Sequence, residues 1–168
     1  MPQSLHIAII GGGAAGFFAA IEAKRNFPHA DITIFEKNSK VLAKVKITGG
    51  GRCNLTNSFD EISDLKQAYP RGHKLMKRLF KRFDYQHAFD WFEENGVPLV
   101  TQEDQCVFPQ SQDSHSIIDC LVNTAKRLGV KIQCNHQLTA ITELEDERLL
   151  LDFKISKEKG NLSGASSA

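Results

Sequence analysis

Residues 5–36 read LHIAIIGGGAAGFFAAIEAKRNFPHADITIFE, and the fold is decided there. Residues 5–10 are a short apolar run with the length and β-branched content of a central parallel strand. Three glycines, Gly11 to Gly13, end it. A buried helix is expected from near Ala14 to about Asn26, with Ala and Phe inward in its first turns, and Pro28 enforces a stop. Residues 31–35, DITIF, read as a second buried strand. Strand, helix and strand make a βαβ unit of suitable length.

Within that unit Gly11, Gly13 and Gly16 fit GxGxxG, and Glu36 follows 20 residues beyond Gly16, at the end of the second strand. The pattern alone is weak, but the flanking strand, the helix and the acid supply its context. Gly11 permits a tight turn. Gly13 lacks a Cβ, so backbone can approach a pyrophosphate, and Gly16 allows close packing of helix on strand. Free N–H groups near Ala14 and Ala15 face the phosphates, supported by the helix dipole. Glu36 can accept hydrogen bonds from ribose hydroxyls and would repel a 2′-phosphate, which disfavours NADP in this site. The motif does not separate FAD from NAD, since both carry an adenosine diphosphate.

The run also bounds what the chain is not. Residues 5–21 contain no Asp, Glu, Lys or Arg. A membrane helix needs about 20 apolar residues, and three glycines in mid-run disfavour a stable helix. The first five residues lack the Lys or Arg of a signal peptide. A cytoplasmic location is expected by exclusion. The chain has 168 residues, enough for one domain, and its 41% hydrophobic and 24% charged composition is that of a soluble globular protein. A net charge of +1 gives no reason to expect nucleic acid or an anionic membrane as partner. Cys53, Cys106, Cys120 and Cys134 have no CxxC spacing, so reduced thiols are expected rather than zinc or disulfides. The six histidines show no metal spacing, and no metal is assigned.

A second motif, Thr48-Gly49-Gly50-Gly51-Arg52-Cys53-Asn54, follows Lys44 and Lys46. Three glycines in a row fit neither helix nor strand, so residues 37–58 are expected to be an ordered functional loop rather than a tether. Its backbone N–H groups could form an anion nest, and Arg52 supplies a positive fork. Cys53, with no partner thiol or adjacent His, reads as a packed or cofactor-neighbouring thiol. Helices are expected over 72–83, with Leu75, Met76, Leu79, Phe80 and Phe83 as the apolar face, over 85–95 capped by Asp84, and over 115–128. The third buries Ile117, Ile118, Leu121, Val122, Ala125 and Leu128. Gly96 and Gly129 stop the last two. Short strands are expected over 130–134, 138–144 and 148–155, the last two joined by a turn at Glu145-Asp146-Glu147.

Other features read more plainly. Six basic residues at 71–82 (Arg71, Lys74, Lys77, Arg78, Lys81, Arg82) read as a solvated helix face, with RNA or anionic lipid the sharper alternative. Asp113, Ser114 and His115 adjoin in sequence, but a hydrolase triad is built in space, and no GxSxG elbow accompanies them.

The run FEKNSKVLAKVKITGGGRCNLTN, with YPRG at 69–72, WFEENGVPLV at 91–100 and CVFPQSQDSHSIIDCL at 106–121, resembles the BaiN-like (YhiN-like, RdsA-like) NAD(P)/FAD-dependent oxidoreductases. The likeness covers nearly all of residues 5–155. It implies an α/β fold, a Rossmann-like FAD/NAD(P)-binding domain with a parallel central sheet, helices and a small antiparallel β-meander. It implies FAD in an extended form, with Ala15 at the pyrophosphate and Glu36 at the adenosine ribose. Ala43, Lys44 and Leu55 lie along the cofactor, and the backbone of Leu138 meets the adenine. With the glycine motifs, the candidate cofactor set is Gly11, Gly13, Ala14, Ala15, Gly16, Glu36, Lys37, Ala43, Lys44, Thr48, Gly49, Gly50, Gly51, Arg52, Asn54, Leu55 and Leu138. Ala43 departs from the basic residue often found there, which leaves only a backbone contact. No catalytic residue is assigned.

The implied activity is a flavin-dependent redox reaction on a small organic substrate, with NAD(P)H reducing the flavin. Family members resemble enoyl-type reductases of bile-acid intermediates or amine oxidases. The resemblance also implies roughly double the length. Residues 1–155 are then an incomplete FAD-binding domain, and the polar, flexible 156–168 leads to a missing substrate domain. Two alternatives stay open: an NAD-only dehydrogenase domain, and a non-enzymatic truncated dinucleotide- or RNA-binding module.

Overall fold

The computed structural model describes residues 5–146 and 148–156. The chain divides into two compact units: a terminal unit built from both ends, up to Val41 and from Leu128, and a central unit spanning Leu42–Arg127.

The terminal unit carries the βαβ element. Strand β1 (His6–Ile10) leads through the glycine turn into helix α1 (Ala14–Asn26) and then into β2 (Asp31–Phe35). The last strand of the sheet, β6 (Lys131–Gln133), joins after the central unit. The order is β1-β2-β6, all parallel, with His6 beside Asp31 and Thr33 beside Lys131. Phe17, Ala20 and Ile21 of α1 and Ile32 and Ile34 of β2 are fully buried or nearly so. Each large aliphatic or aromatic side chain here contributes about 1.5–3 kcal/mol of burial. Strand β2, with a neighbour on each side, is the central strand that the apolar run suggests.

β1 is not. It alternates exposed and half-buried residues, with Leu5 51% and Ile10 49% exposed. Among the described residues it pairs with β2 alone, so one edge and part of one face stay open. The first helical residues, Ala14 and Ala15, are exposed too, and burial in α1 starts only at Phe17. The expectation of a buried strand and a buried helix start is corrected on both counts. The antiparallel part near the C-terminus is a two-stranded hairpin, β7 (His136–Glu143) and β8 (Leu149–Ile155), with a register irregularity between Leu138 and Ala140. It rests on β2 through Phe35, whose ring stacks on Phe153 at 4.4 Å. Glu147 of the expected turn and the expected tail beyond Ser156 lie outside the described residues.

The central unit is richer in secondary structure than its sequence suggests. It holds α2 (Ala43–Ile47), then a 3₁₀ turn at Thr48–Gly51, then β3 (Thr56–Asn57), α3 (Leu65–Ala68), α4 (His73–Leu79), α5 (Tyr85–Glu94), β4 (Leu99–Thr101), β5 (Cys106–Pro109) and α6 (His115–Arg127). The three strands form an antiparallel sheet in the order β3-β5-β4. Asp84 caps α5 in a reciprocal capping box: its Oδ1 accepts from the His87 backbone N–H, and the His87 ring meets the Asp84 N–H. Gly96 and Gly129 adopt left-handed conformations after α5 and α6, as expected of stop glycines. In α6, Ile117, Leu121 and Ala125 are buried, whereas Ile118 and Val122 are only half-buried, as is Leu128 just past its end.

The helix expected over 72–83 is regular only over His73–Leu79, and its apolar face is not a buried face. Leu75, Leu79 and Phe83 are 50%, 48% and 40% exposed. Phe80 is half-buried and stands against Phe59 and Tyr69 at 5.7 and 6.2 Å. Among the described residues, no helix is long and apolar enough to cross a membrane.

Candidate dinucleotide site

The glycine turn of the terminal unit is shaped by three separate constraints. Gly11 sits at φ +107°, a conformation that residues with a Cβ rarely adopt, and its N–H donates to the Phe35 carbonyl at 2.8 Å. A Cβ on Gly16 would overlap the Gly11 carbonyl oxygen, so α1 crosses β1 at a distance only glycine allows. At Gly13, by contrast, a Cβ would meet nothing within 4 Å. The backbone there faces open space, as an approach to a large polar ligand requires. Gly13 is also the N-cap of α1 and offers no side-chain cap, so the first N–H groups of the helix have no partner inside it.

Glu36 closes this turn from the end of β2. It is buried, and its Oε2 accepts from the Gly12 N–H at 2.8 Å. Its Oε1 accepts from the Asn38 backbone N–H at 2.9 Å and from Asn38 Nδ2 at 2.7 Å. Burial alone would push the Glu36 carboxyl up. The hydrogen bonds from Asn38 and Gly12, with the charge of Lys37 beside it, outweigh burial and hold it below the ordinary carboxylate value. A carboxylate fixed as an anion beside a helix start suits a hydroxyl donor: Oε1 already accepts two hydrogen bonds and Oε2 one, which leaves a lone-pair site on Oε2. The Glu36 backbone continues the frame: its N–H donates to Gln133 O, and its carbonyl accepts from the His136 N–H. This places the start of β7, two residues before Leu138, beside Glu36. Lys37 is exposed.

The structure thus gathers Gly11, Gly13, Ala14, Ala15, Gly16, Glu36, Lys37 and Leu138 into the terminal unit. Gly12 and Asn38 belong with them and were not expected. Gly12 fills a variable position of the motif, yet a Cβ there would lie 2.7 Å from Val41 Cγ1 and 3.1 Å from Glu36 Cβ. Its place within a run of three consecutive glycines was its only sequence signal. Asn38 had none.

The other predicted residues lie in the central unit: Ala43 and Lys44 on α2, Thr48 to Gly51 in the 3₁₀ turn, then Arg52, Asn54 and Leu55. The segment is ordered, as expected, but it is not a plain loop: α2, the 3₁₀ turn and then β3 run through it. Ser114, itself 1% exposed, fastens it: the Ser114 N–H donates to Gly51 O at 2.9 Å, and its hydroxyl to Lys46 O at 3.0 Å. That occupation also disposes of Ser114 as a nucleophile, although Asp113 and His115 are 2.8 Å apart. Gly49 is doubly required, by φ +58° and by a Cβ that would come within 2.6 Å of the Asn54 nitrogen. Gly49 and Gly50 are both left-handed, so the alternation of right- and left-handed residues that builds an anion nest is not formed between them. Arg52 stacks over Phe108 at 4.2 Å, and its Nε and Nη1 reach Gly49 O and Gln112 Oε1. Cys53 is buried, and burial pushes its thiol up, which fits a packed thiol and not a nucleophile. All four cysteines stand outside any disulfide. Among the described residues, no cluster of His, Cys, Asp or Glu could hold a metal.

Neither of two sizeable clefts contains a predicted site residue. One, of about 950 Å³, lies in the terminal unit against β1, β2 and the hairpin. The other, of about 670 Å³, lies in the central unit between the Asn95–Pro98 turn and α6. At the glycine turn, Gly13, Ala14 and Ala15 are exposed, while Gly12 and Glu36 are buried.

Residues 5–165 match the HI0933-like protein Rossmann domain. The chain belongs to that family. Within reach of this HI0933-like Rossmann domain is the 3-dehydro-bile acid delta(4,6)-reductase of Clostridium scindens, 31% identical over 135 residues, which cover 80% of this chain and 32% of the relative. The ribosomal RNA dihydrouridine synthase of Haemophilus influenzae is 24% identical, over 88% of this chain and 35% of its own. The chain therefore spans about a third of the length of these curated relatives, less than the half implied by the sequence resemblance. Among solved structures, 3-ketosteroid-delta4-(5alpha)-dehydrogenase from Rhodococcus jostii RHA1 superposes with a TM-score of 0.65 at 16% identity, over 92% of this chain and 43% of that one. That likeness is one of fold.

Proposed function

We propose that this HI0933-like domain is the FAD-binding part of a flavin-dependent oxidoreductase that acts on a small organic substrate, with NAD(P)H as the reductant. One observation carries the reading: a buried, anionic Glu36 is hydrogen-bonded to the glycine turn that opens toward the uncapped start of α1. That arrangement suits an adenosine diphosphate, with the pyrophosphate at Ala14, Ala15 and Gly16 and the ribose diol at Glu36. Lys37 and the Leu138 backbone are proposed contacts toward the adenine. Ala43, Lys44, Thr48, Gly49, Gly50, Gly51, Asn54 and Leu55 are proposed contacts further along the same cofactor. Arg52 has two of its nitrogens committed to the loop and would contribute its remaining Nη2. FAD, when bound, supplies the hydride chemistry, and the protein supplies binding, orientation and electrostatics. The reductase named among the relatives supports a reductive reaction. Incubating the chain with FAD, desalting it and adding NADH or NADPH without oxygen tests the reading. Retained visible flavin bands that bleach are expected. Bands lost on desalting would remove FAD binding by this chain, and retained bands that never bleach would remove the nicotinamide reductant.

A second reading, an RNA substrate, is favoured by one observation. Seven exposed cations (Lys66, Arg71, Lys74, Lys77, Arg78, Lys81 and Arg82) occupy residues 66–82 with no acidic residue among them. Of the chain's 21 Lys and Arg, that leaves 14 against 20 Asp and Glu elsewhere. Two curated relatives are named for ribosomal RNA. On this reading, RNA affinity falls steeply with salt, and neutralising Lys77, Arg78, Lys81 and Arg82 flattens the slope by about 0.7–0.9 for each phosphate that the protein no longer neutralises. Binding that ignores both salt and these substitutions would leave the small-molecule reading alone.

A further inference from the structure

Asn38 is exposed and lies three residues past the end of β2, two beyond Glu36. Its backbone N–H and its side-chain Nδ2 both donate to the same carboxylate oxygen, Oε1, at 2.9 and 2.7 Å. The Asn38 carbonyl in turn accepts from the Asn135 N–H at 3.0 Å, in the turn between β6 and β7. That turn is itself fixed, because Asn135 is left-handed at φ +61° and its carbonyl accepts from the Ser156 N–H. Asn38 is therefore tied to the sheet through its backbone while its side chain is spent on Glu36. On the other side of the carboxylate, the Gly12 N–H occupies Oε2. Two donors on one oxygen and one on the other fix the plane of the carboxylate before any ligand arrives.

We infer that Asn38 is the positioning residue of the site: it fixes the orientation of the Glu36 carboxylate so that the lone pair left on Oε2 faces an adenosine ribose hydroxyl. The inference rests on the ribose role proposed above for Glu36. An unheld glutamate would have to stop rotating on binding, and a freely rotating side chain of this kind loses on the order of 1–2 kcal/mol of conformational freedom when ordered. The Asn38 clamp removes that loss in advance, which is preorganisation. The charged or titratable groups around Glu36 are Lys37 beside it, Cys134 on the β6–β7 connection, whose thiol is pushed up first by burial and then by the Glu36 charge, and His136, whose ring bonds the Cys134 carbonyl. None of them replaces the Asn38 amide.

The test uses the full chain with Asn38→Ala, Asn38→Asp and Glu36→Ala. Two quantities are read: the Glu36 carboxyl titration, by carbon NMR without ligand, and the dissociation constant for FAD, by flavin fluorescence. Asn38→Ala is expected to raise the Glu36 midpoint and to weaken FAD about tenfold, with thermal unfolding nearly unchanged. Asn38→Asp keeps the shape but sets a second carboxylate against Glu36. It is expected to weaken FAD further at neutral pH and to recover affinity on mild acidification, which a folding defect would not do. A Glu36 midpoint unmoved in Asn38→Ala overturns the inference, and so does a moved midpoint with FAD affinity unchanged. If Glu36→Ala also binds FAD like the wild type, the ribose reading has failed and takes the inference with it. That outcome is separate from a failure of Asn38 alone.

Discussion

Gly16→Ala is expected to lower the stability of the terminal unit by about 3 kcal/mol, at the upper end of the cost of forcing one extra carbon into a packed interior. The reason is geometric. The added Cβ would overlap the Gly11 carbonyl oxygen and come within 3.2 Å of the Gly11 carbonyl carbon and 3.4 Å of Ile9 Cγ2. Two of those three atoms are backbone, so no rotamer change relieves the clash. Gly11 cannot retreat, because its N–H is bonded to Phe35 O and its φ is already +107°. The strain must move α1 off β1, which opens the layer holding Phe17, Ile21 and Ile34. Gly13→Ala is the matched control. Its Cβ meets nothing, so stability should change by well under 1 kcal/mol, while FAD affinity falls if the backbone there faces a pyrophosphate. Urea midpoints of the two variants check this. Equal midpoints would show that the close approach at Gly16 does not hold the unit together.

Glu36→Ala is expected to weaken FAD about a hundredfold. A hydrogen bond from a ribose hydroxyl to the lone pair left on this ionised acceptor contributes up to about 3 kcal/mol, and about 1.4 kcal/mol corresponds to each factor of ten. The substitution also leaves the Gly12 N–H and both Asn38 donors without their acceptor. The chain should therefore lose stability without ligand as well. The pH dependence has a definite sign. The folded Glu36 carboxyl lies below its ordinary value of 4.5. Its contribution is fully present above that value and is lost as pH falls through the folded value. The stability gap between wild type and Glu36→Ala should thus be widest near neutrality and narrow only below about pH 4.5. A gap that widens on acidification would contradict the hydrogen-bonded anion. Glu36→Gln refines the result, because an amide can still accept through one oxygen and should recover part of the affinity.

The βαβ unit was legible because two local signals coincide there: the change from strand period to helix period, and glycines where the backbone must turn. Gly11 and Gly16 could be assigned their roles from position alone, and the capping of α5 by Asp84 and the stops at Gly96 and Gly129 follow from equally local chemistry. Gly12 and Asn38 could not be read this way. Their roles depend on Glu36, 24 residues from Gly12, arriving at the turn, and no local pattern encodes that meeting. β1 shows the converse failure: its apolar run is the same whether or not strands flank both edges, so composition could not foretell an exposed Leu5 and Ile10. In the central unit, β3, β4 and β5 are two to four residues long, too short for an alternation to stand out. The TGGGRCN segment was recognisable as ordered. Its fastening by Ser114, Gln112 and Phe108, about 60 residues later in the chain, was not recognisable from those residues.

The most direct test is a proton–nitrogen NMR titration of the whole chain with ADP, the half of the cofactor that the terminal unit is proposed to hold. The predicted result is a set of saturable shifts confined to the amides of Gly11 to Gly16, Glu36 to Asn38 and the neighbourhood of Leu138, abolished in Glu36→Ala. Shifts that leave the glycine turn untouched and gather instead around the α6 cleft at Asp119, Asn123 and Arg127 would contradict it.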